Sequence, residues 1–175
     1  ILSSCFFYDV RTQQSTALLT DLPAALTGCC VVANEEYVYV IGGHGRRAGA
    51  VNTVYRLCLK SEEWTTMAPM GNTRFAFAAV LKGKYIYVFG GYNGRRRLSS
   101  TERYCIDNNT WEDLPDMPHG PRDCHCAVST TGSEIYIVGG DTCSVDVFDT
   151  ATLTWKNETH LHDMPEERHH AAAVV

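Results

Sequence analysis

The sequence predicts an all-β fold built from repeated four-stranded units. A Gly-Gly pair closes an apolar, alternating run three times, ending at Gly43, Gly91 and Gly140, so the intervals are 48 and 49 residues. A tryptophan follows each pair, and no segment shows convincing helical periodicity over about twelve residues. Recurrence at such an interval is typical of proteins made from one repeated supersecondary unit.

Each unit reads as four short strands separated by turn residues. The first strand is a near-continuous apolar run, as in FAFAAVL from Phe75, and the second alternates before it ends in Gly-Gly. The third strand is VNTVYRLCL from Val51, STERYCI from Ser100 or SVDVFD from Ser144, and the fourth begins near the tryptophan. An apolar or aromatic residue stands seven residues before each tryptophan. Together they supply large apolar areas for packing between adjacent sheets.

A Gly-Gly pair, an aromatic residue and a tryptophan seven residues further on, repeated at about fifty residues, resemble the Kelch repeat. The resemblance covers essentially the whole chain. Its structural positions are Gly42, Gly43, Trp64, Gly90, Gly91, Tyr104, Trp111, Gly139, Gly140, Phe148 and Trp155. The resemblance implies a β-propeller, in which four-stranded blades surround a central channel.

The order of the strands predicts a partial ring. The chain starts on a third strand and ends on a first strand, because the repeat is entered and left in mid-unit. The expected segments are the end of a blade at 1–23, complete blades at 24–70, 71–118 and 119–165, and the start of a blade at 166–175. Since Kelch propellers usually have about six blades, we expect the natural polypeptide to be longer.

Composition and charge exclude several function classes. The net charge of −5 argues against a dedicated nucleic-acid binder, which is usually basic. No run of about eighteen apolar residues is present, so no membrane span is predicted. The eight cysteines lie mostly in apolar, strand-like runs, which favours reduced thiols in a cytoplasmic or nuclear protein over disulfides in a secreted one.

The candidate chemical motifs favour no catalysis, no metal and no cofactor. No cysteine or carboxylate at standard zinc spacing accompanies the histidines His160, His162, His169 and His170. The Cys-His-Cys segment at 124–126 falls on a first strand, where core thiols are the better interpretation. The sequence GHGRRAG around Gly43 lacks the GK[ST] ending of a phosphate-binding loop and reads as a long hairpin loop.

Most arginines fall in turns that emerge on one face of the expected propeller, after the second or the fourth strand of a blade. They are Arg46, Arg47, Arg74, Arg95, Arg96, Arg97, Arg122 and Arg168. Guanidinium forks bind carboxylates through two parallel hydrogen bonds. The Kelch substrate adaptors of cullin ubiquitin ligases are similar and bind acidic degron peptides on this face, so the resemblance implies peptide capture by these arginines.

Two other interpretations of the arginines stay open. A run of arginines such as that at 95–97 is most often a solvated loop. Arg74, Arg122 and Arg168 recur at one repeat position, where they would hydrogen-bond carbonyl groups between blades, although Leu26 occupies that position in the first unit.

These observations predict a protein-recognition module that is not an enzyme. The favoured role is the substrate-recognition part of a ubiquitin-ligase adaptor whose BTB-type domains lie outside this chain. The alternatives are an actin-binding cytoskeletal scaffold and, from another class, a propeller enzyme similar to sugar epimerases or oxidases.

Overall fold

The computed structural model describes residues 3–18, 20–121, 127–140, 142–156 and 164–166. The first nine strands are β1 (Phe6–Asp9), β2 (Gln14–Ala17), β3 (Leu26–Thr27), β4 (Cys30–Ala33), β5 (Tyr37–Ile41), β6 (His44–Gly45), β7 (Gly49–Ala50), β8 (Val54–Cys58) and β9 (Trp64–Met67). The remaining eight are β10 (Ala78–Lys82), β11 (Tyr85–Phe89), β12 (Thr101–Cys105), β13 (Thr110–Leu114), β14 (Ala127–Thr131), β15 (Glu134–Val138), β16 (Val145–Asp149) and β17 (Thr154–Trp155). In these ranges no helix is long and apolar enough to cross a membrane.

Three four-stranded antiparallel sheets dominate the fold, with strand orders β4-β5-β8-β9, β10-β11-β12-β13 and β14-β15-β16-β17. Strands β1 and β2 form a separate pair before them. The first strands of neighbouring sheets contact each other, because β10 touches both β4 and β14. The prediction of an all-β, partial and unclosed ring of blades is therefore confirmed. Residues 167–175 of the predicted last strand lie outside the described residues, and the predicted blade boundaries stay predictions.

The core lies between the sheets and is built on the repeated aromatic positions. Tyr104 pairs across strands with Trp111, and Phe148 pairs with Trp155. Their ring centroids are 5.2 Å and 5.0 Å apart, respectively. One core cluster joins Tyr39 of β5 to Tyr104 of β12, so it packs neighbouring sheets against each other. This arrangement agrees with the role that the sequence predicts for these residues.

The tryptophans also hydrogen-bond each blade to the one before it. The indole N–H of Trp111 donates to the carbonyl oxygen of Ala68 at 2.8 Å, and that of Trp155 donates to Pro115 at 2.8 Å. The equivalent bond from Trp64 reaches Thr20 at 3.4 Å. Each acceptor follows the last strand of the preceding blade. The repeated tryptophan therefore supplies one polar contact at every blade interface described.

Replacing Trp111 with phenylalanine should lower the free energy of unfolding by about 0.5–1.5 kcal/mol. The substitution keeps an aromatic ring but removes the donor to Ala68, and a typical intramolecular hydrogen bond contributes about 0.5–1.5 kcal/mol. Urea denaturation of the purified protein measures the change. The matched control is Trp64→Phe, whose longer bond predicts a smaller loss; a loss at Trp64 equal to or larger than that at Trp111 would contradict the assignment.

A small three-stranded sheet, β3-β6-β7, lies beside the first full blade. Strands β6 and β7 form a hairpin, and Leu26 and Thr27 of β3 pair with Gly45 and His44 of β6. The sequence predicts a hairpin loop here but not its pairing with residue 26. The difference arises because two-residue strands rich in glycine carry no alternating apolar pattern.

The prediction that a first strand begins at Phe75 is wrong about where that strand starts. Regular pairing begins at Ala78, and Phe75 makes only an isolated bridge with Tyr92. Between them Ala76 has φ of 53°, which interrupts an extended ladder, and its N–H donates to the carbonyl oxygen of Gly28 in the preceding blade at 2.6 Å. The start of the apolar run therefore contacts the preceding blade through Ala76 before the regular strand begins.

None of the described cysteines forms a disulfide. They are Cys5, Cys29, Cys30, Cys58, Cys105 and Cys143. The Sγ of Cys30 donates to the carbonyl oxygen of Phe77 at 2.8 Å, so it contributes to the contact between neighbouring first strands. Cys124 and Cys126 lie outside the described residues.

Candidate functional site

Two exposed loops carry five of the eight arginines that the sequence assigns to partner binding. Arg46 and Arg47 lie at the turn of the β6–β7 hairpin, which follows β5. Arg95, Arg96 and Arg97 lie in the corresponding loop after β11. All five are exposed. The structure therefore places these arginines at equivalent positions of two neighbouring blades.

The loop after β11 owes its shape to a short asparagine-centred turn. The Asn93 Oδ1 accepts the backbone N–H groups of Arg95 and Arg96, both at 2.9 Å. At the base of the loop the Leu98 N–H donates to Gly91 O at 2.8 Å, and the Leu98 side chain is buried. Asn93 supplies the hydrogen-bond acceptor for the backbone of the turn, and the buried Leu98 side chain fixes the base of the loop. The arginine side chains between them are exposed.

Aromatic residues join the two arginine loops. The ring of Phe75 lies between those of His44 and Tyr92, with centroid separations of 5.1 Å and 5.5 Å and edge-to-face geometry. The loops also approach each other directly, since a Cβ added at Gly94 would lie 3.9 Å from the Cβ of Ala50. The two loops and the aromatic row between them form one surface, which we call the arginine face.

A cavity of about 520 Å³ opens on the arginine face. Its polar lining includes Asn72, Arg96, Arg97, Ser99, Ser100 and Asp116. Arginines and a carboxylate therefore both contribute to the lining, and the Ser99 hydroxyl donates to Asp116 Oδ2 at 2.7 Å. Cavities of roughly 300–1,000 Å³ are the usual size for ligand sites. The volume of this cavity falls within that range.

Arg74 does not belong to the exposed part of this face. Its side chain is 0% exposed, and its guanidinium donates to the carbonyl oxygen of Gly90 at 2.6 Å and to the carbonyl and hydroxyl oxygens of Ser100, both at 3.1 Å. Nη2 also pairs with Glu102 Oε1 at 2.5 Å. Burial lowers the pKa of Arg74, and the Glu102 carboxylate opposes that shift. Arg74 therefore has the structural role that was the alternative to partner contact.

Glu102 is a buried carboxylate that the sequence analysis did not single out. It is 1% exposed and accepts hydrogen bonds from the Gly71 N–H at 2.7 Å, the Asn72 N–H at 3.2 Å and the Asn72 side-chain amide at 3.1 Å. Glu102 stands nine residues before Trp111, and a second buried acid, Asp146, stands nine residues before Trp155. An acidic residue at the same repeat position of two predicted strands is the sequence signal that indicates such a buried carboxylate.

At the opposite ends of the blades, two lysines bind groups of the protein itself. Lys82 donates to the carbonyl oxygen of Gly132 at 2.5 Å, and Lys84 pairs with Asp107 at 3.3 Å.

Some predicted residues lie outside the described residues, and their roles stay predictions. These are Arg122, Arg168, the 124–126 segment, and the histidines His160, His162, His169 and His170. Within the ranges that the structure describes, no group of three or more His, Cys, Asp or Glu side chains is arranged to hold a metal ion.

Comparison with protein families gives a match along the full chain. The family model described as the KLHDC2/KLHL20/DRC7 Kelch-repeats domain matches residues 1–175.

Curated proteins also resemble the chain. Kelch-like protein 26 of Danio rerio is 28% identical over 165 residues, covering 89% of this chain and 27% of that protein. Kelch-like protein 25 of Xenopus tropicalis is 34% identical over 148 residues, covering 77% and 24%. Kelch repeat and BTB domain-containing protein 2 of Cowpox virus (strain GRI-90 / Grishak) is 25% identical over 151 residues, covering 83% and 26%. The chain spans about a quarter of the length of these relatives.

Proposed function

Because the chain belongs to the Kelch-repeat family, we propose that it binds an acidic peptide segment of a partner protein through its arginine face. The Kelch-like relatives support a protein-interaction module as the general role. The specific proposal concerns which surface is used and which chemistry it recognises.

The main support for this proposal is the exposure of five arginines on two adjoining loops beside a polar cavity. The chain has a net charge of −5, so this concentration runs against its overall charge. Clustered charge of one sign steers a ligand of the opposite sign and raises its association rate. The row of His44, Phe75 and Tyr92 adds apolar area between the charges, and aromatic residues are enriched where interfaces bind most tightly.

Within this proposal the favoured biological role is substrate recognition for a cullin ubiquitin ligase. Support comes from a relative whose name joins Kelch repeats to a BTB domain, which is the arrangement expected for such an adaptor. Co-purification of a cullin with the full-length protein would support the role. Co-sedimentation with actin filaments and no cullin would favour the cytoskeletal alternative.

Reversing the charge of the loop after β11 should weaken peptide binding about tenfold, or about 1.4 kcal/mol. The variant is Arg95→Glu/Arg96→Glu/Arg97→Glu. The probes are pairs of synthetic nine-residue peptides, identical except that one member carries two adjacent glutamates and the other two glutamines. We expect the protein to prefer the glutamate members, with an affinity that falls as salt is added, because exposed charges are screened.

The matched control reverses three charges on the opposite face, as Lys60→Glu/Lys82→Glu/Lys84→Glu. It should leave peptide binding nearly unchanged, since none of these lysines lies on the arginine face. Equal affinity for glutamate and glutamine peptides, or equal losses in the two triple variants, would overturn the proposal and leave the 95–97 run as solvated surface.

A further inference from the structure

We propose that the buried Arg74–Glu102 pair is a positioning element for the arginine face, which holds the walls of its cavity in the geometry that binds a partner. The part of this inference that concerns peptide binding rests on the proposed function. Neither residue touches the partner in this proposal. Both act through the two loops that they hold.

The two partners of the ion pair hold different loops. Arg74 binds the two ends of the loop after β11, at Gly90 and Ser100, through the three hydrogen bonds described above. Glu102 binds the loop that precedes β10, through the backbone of Gly71 and the backbone and side chain of Asn72. The ion pair between them therefore joins these two loops below the surface.

The loops that the pair holds are those that line the cavity. Asn72, held by Glu102, and Ser100, held by Arg74, are both lining residues. Arg96 and Arg97 line the same cavity and belong to the loop whose ends Arg74 fixes. The positions of the exposed arginines therefore depend on a buried one.

The blade fold itself does not require this pair. In the first full blade the equivalent positions are Leu26 and Tyr55, and that blade still forms a four-stranded sheet. Replacing a buried ion pair by apolar residues of similar volume is often neutral or stabilising. Stability alone therefore does not account for the pair, whereas the placement of two loops around a cavity does.

The test replaces both charges at once, as Arg74→Met/Glu102→Leu, and measures amide hydrogen exchange in the free protein. The informative amides are those of Leu98 and Met117, which bond to Gly91 and Ser99 rather than to either member of the pair. We expect both to exchange about tenfold faster, a change of about 1.4 kcal/mol in local opening, while the amides of β11 keep their protection. Unchanged exchange at Leu98 and Met117 would overturn the inference.

Binding provides the second measurement, with the glutamate members of the nine-residue peptide pairs as probes. The double variant should melt cooperatively and keep most of the stability of the wild type, yet bind the peptide about tenfold more weakly. The control Lys84→Met/Asp107→Leu removes an exposed ion pair of the opposite face and should change neither quantity. Peptide affinity that matches the wild type in the double variant would also contradict a positioning role.

Two further outcomes are distinguishable. If the wild type does not prefer glutamate peptides but the double variant shows fast exchange, the proposed function fails and the positioning of the loops stands. If the double variant does not melt cooperatively, Arg74→Lys takes its place. Lysine keeps the charge opposite Glu102 but lacks the fork, so exchange at Leu98 should still rise; no rise would overturn the inference.

Discussion

Replacing Arg74 alone with methionine is expected to lower the free energy of unfolding by about 3–5 kcal/mol, because removing one member of a buried ion pair leaves an uncompensated charge. Glu102 is 1% exposed and would remain without its guanidinium partner. The carbonyl oxygens of Gly90 and Ser100 would lose their donors as well. Urea denaturation of the purified protein measures the loss.

Two comparisons make this result specific. Lys84→Met breaks an ion pair whose side chains are 56% and 59% exposed, and it should cost no more than about 1 kcal/mol. Arg74→Met/Glu102→Leu should recover most of the stability that Arg74→Met loses. A single substitution of Arg74 that costs no more than that of Lys84 would show that the buried pair is not coupled as the structure indicates.

Phe148→Ala should have an effect of similar size, about 3–5 kcal/mol, because it removes a large side chain from a packed core. Phe148 is 0% exposed. Its ring lies 5.0 Å from Trp155 of the same blade and 6.3 Å and 6.2 Å from Phe89 and Tyr87 of the preceding blade. The substitution therefore opens a void at a blade interface, and denaturation with urea reports the loss.

The same substitution at an exposed phenylalanine is the control. Phe6 is 63% exposed, and surface substitutions usually change stability by no more than about 0.5 kcal/mol. A loss at Phe148 as small as that at Phe6 would mean that the interface between these two blades does not depend on the repeated aromatic position.

The repeated features that determine the fold could be predicted because each has a local physical cause. Gly42 has φ of 57°, and a Cβ there would lie 2.5 Å from the carbonyl oxygen of Arg74. Glycine is therefore required by backbone conformation and by close approach together. Tyr104 and Trp111 stand seven residues apart because they are cross-strand neighbours around one turn. Such requirements leave a fixed spacing in the chain.

The turn between the third and fourth strands of each blade has a backbone conformation that the local sequence does not predict. A non-glycine residue with positive φ stands two residues before each tryptophan, and another stands two residues before Ser15, which pairs with Tyr8 as Trp111 pairs with Tyr104. These residues are Gln13, Glu62, Asn109 and Leu153. Their side chains have nothing in common, and only asparagine adopts this conformation readily. The strand pairing on either side imposes the turn, so the type of residue at this position does not predict its positive φ.

The functional assignment of Arg74 could not be predicted for a related reason. Its recurrence at one repeat position indicated either a structural or a binding role, and only the location of Glu102 decides between them. The two residues are 28 apart in sequence. The exposure of Arg95 follows more directly from the sequence, because a turn rich in Asn and Gly places its side chains outside, and its role in binding stays a proposal.

The indole hydrogen bonds between blades all point the same way along the chain. Each donor lies 40 to 44 residues after its acceptor, as in the bonds from Trp64 to Thr20 and from Trp155 to Pro115. During translation the acceptor residue therefore leaves the ribosome before the tryptophan that bonds to it. For these three bonds, the order of synthesis therefore makes the acceptor available before its donor.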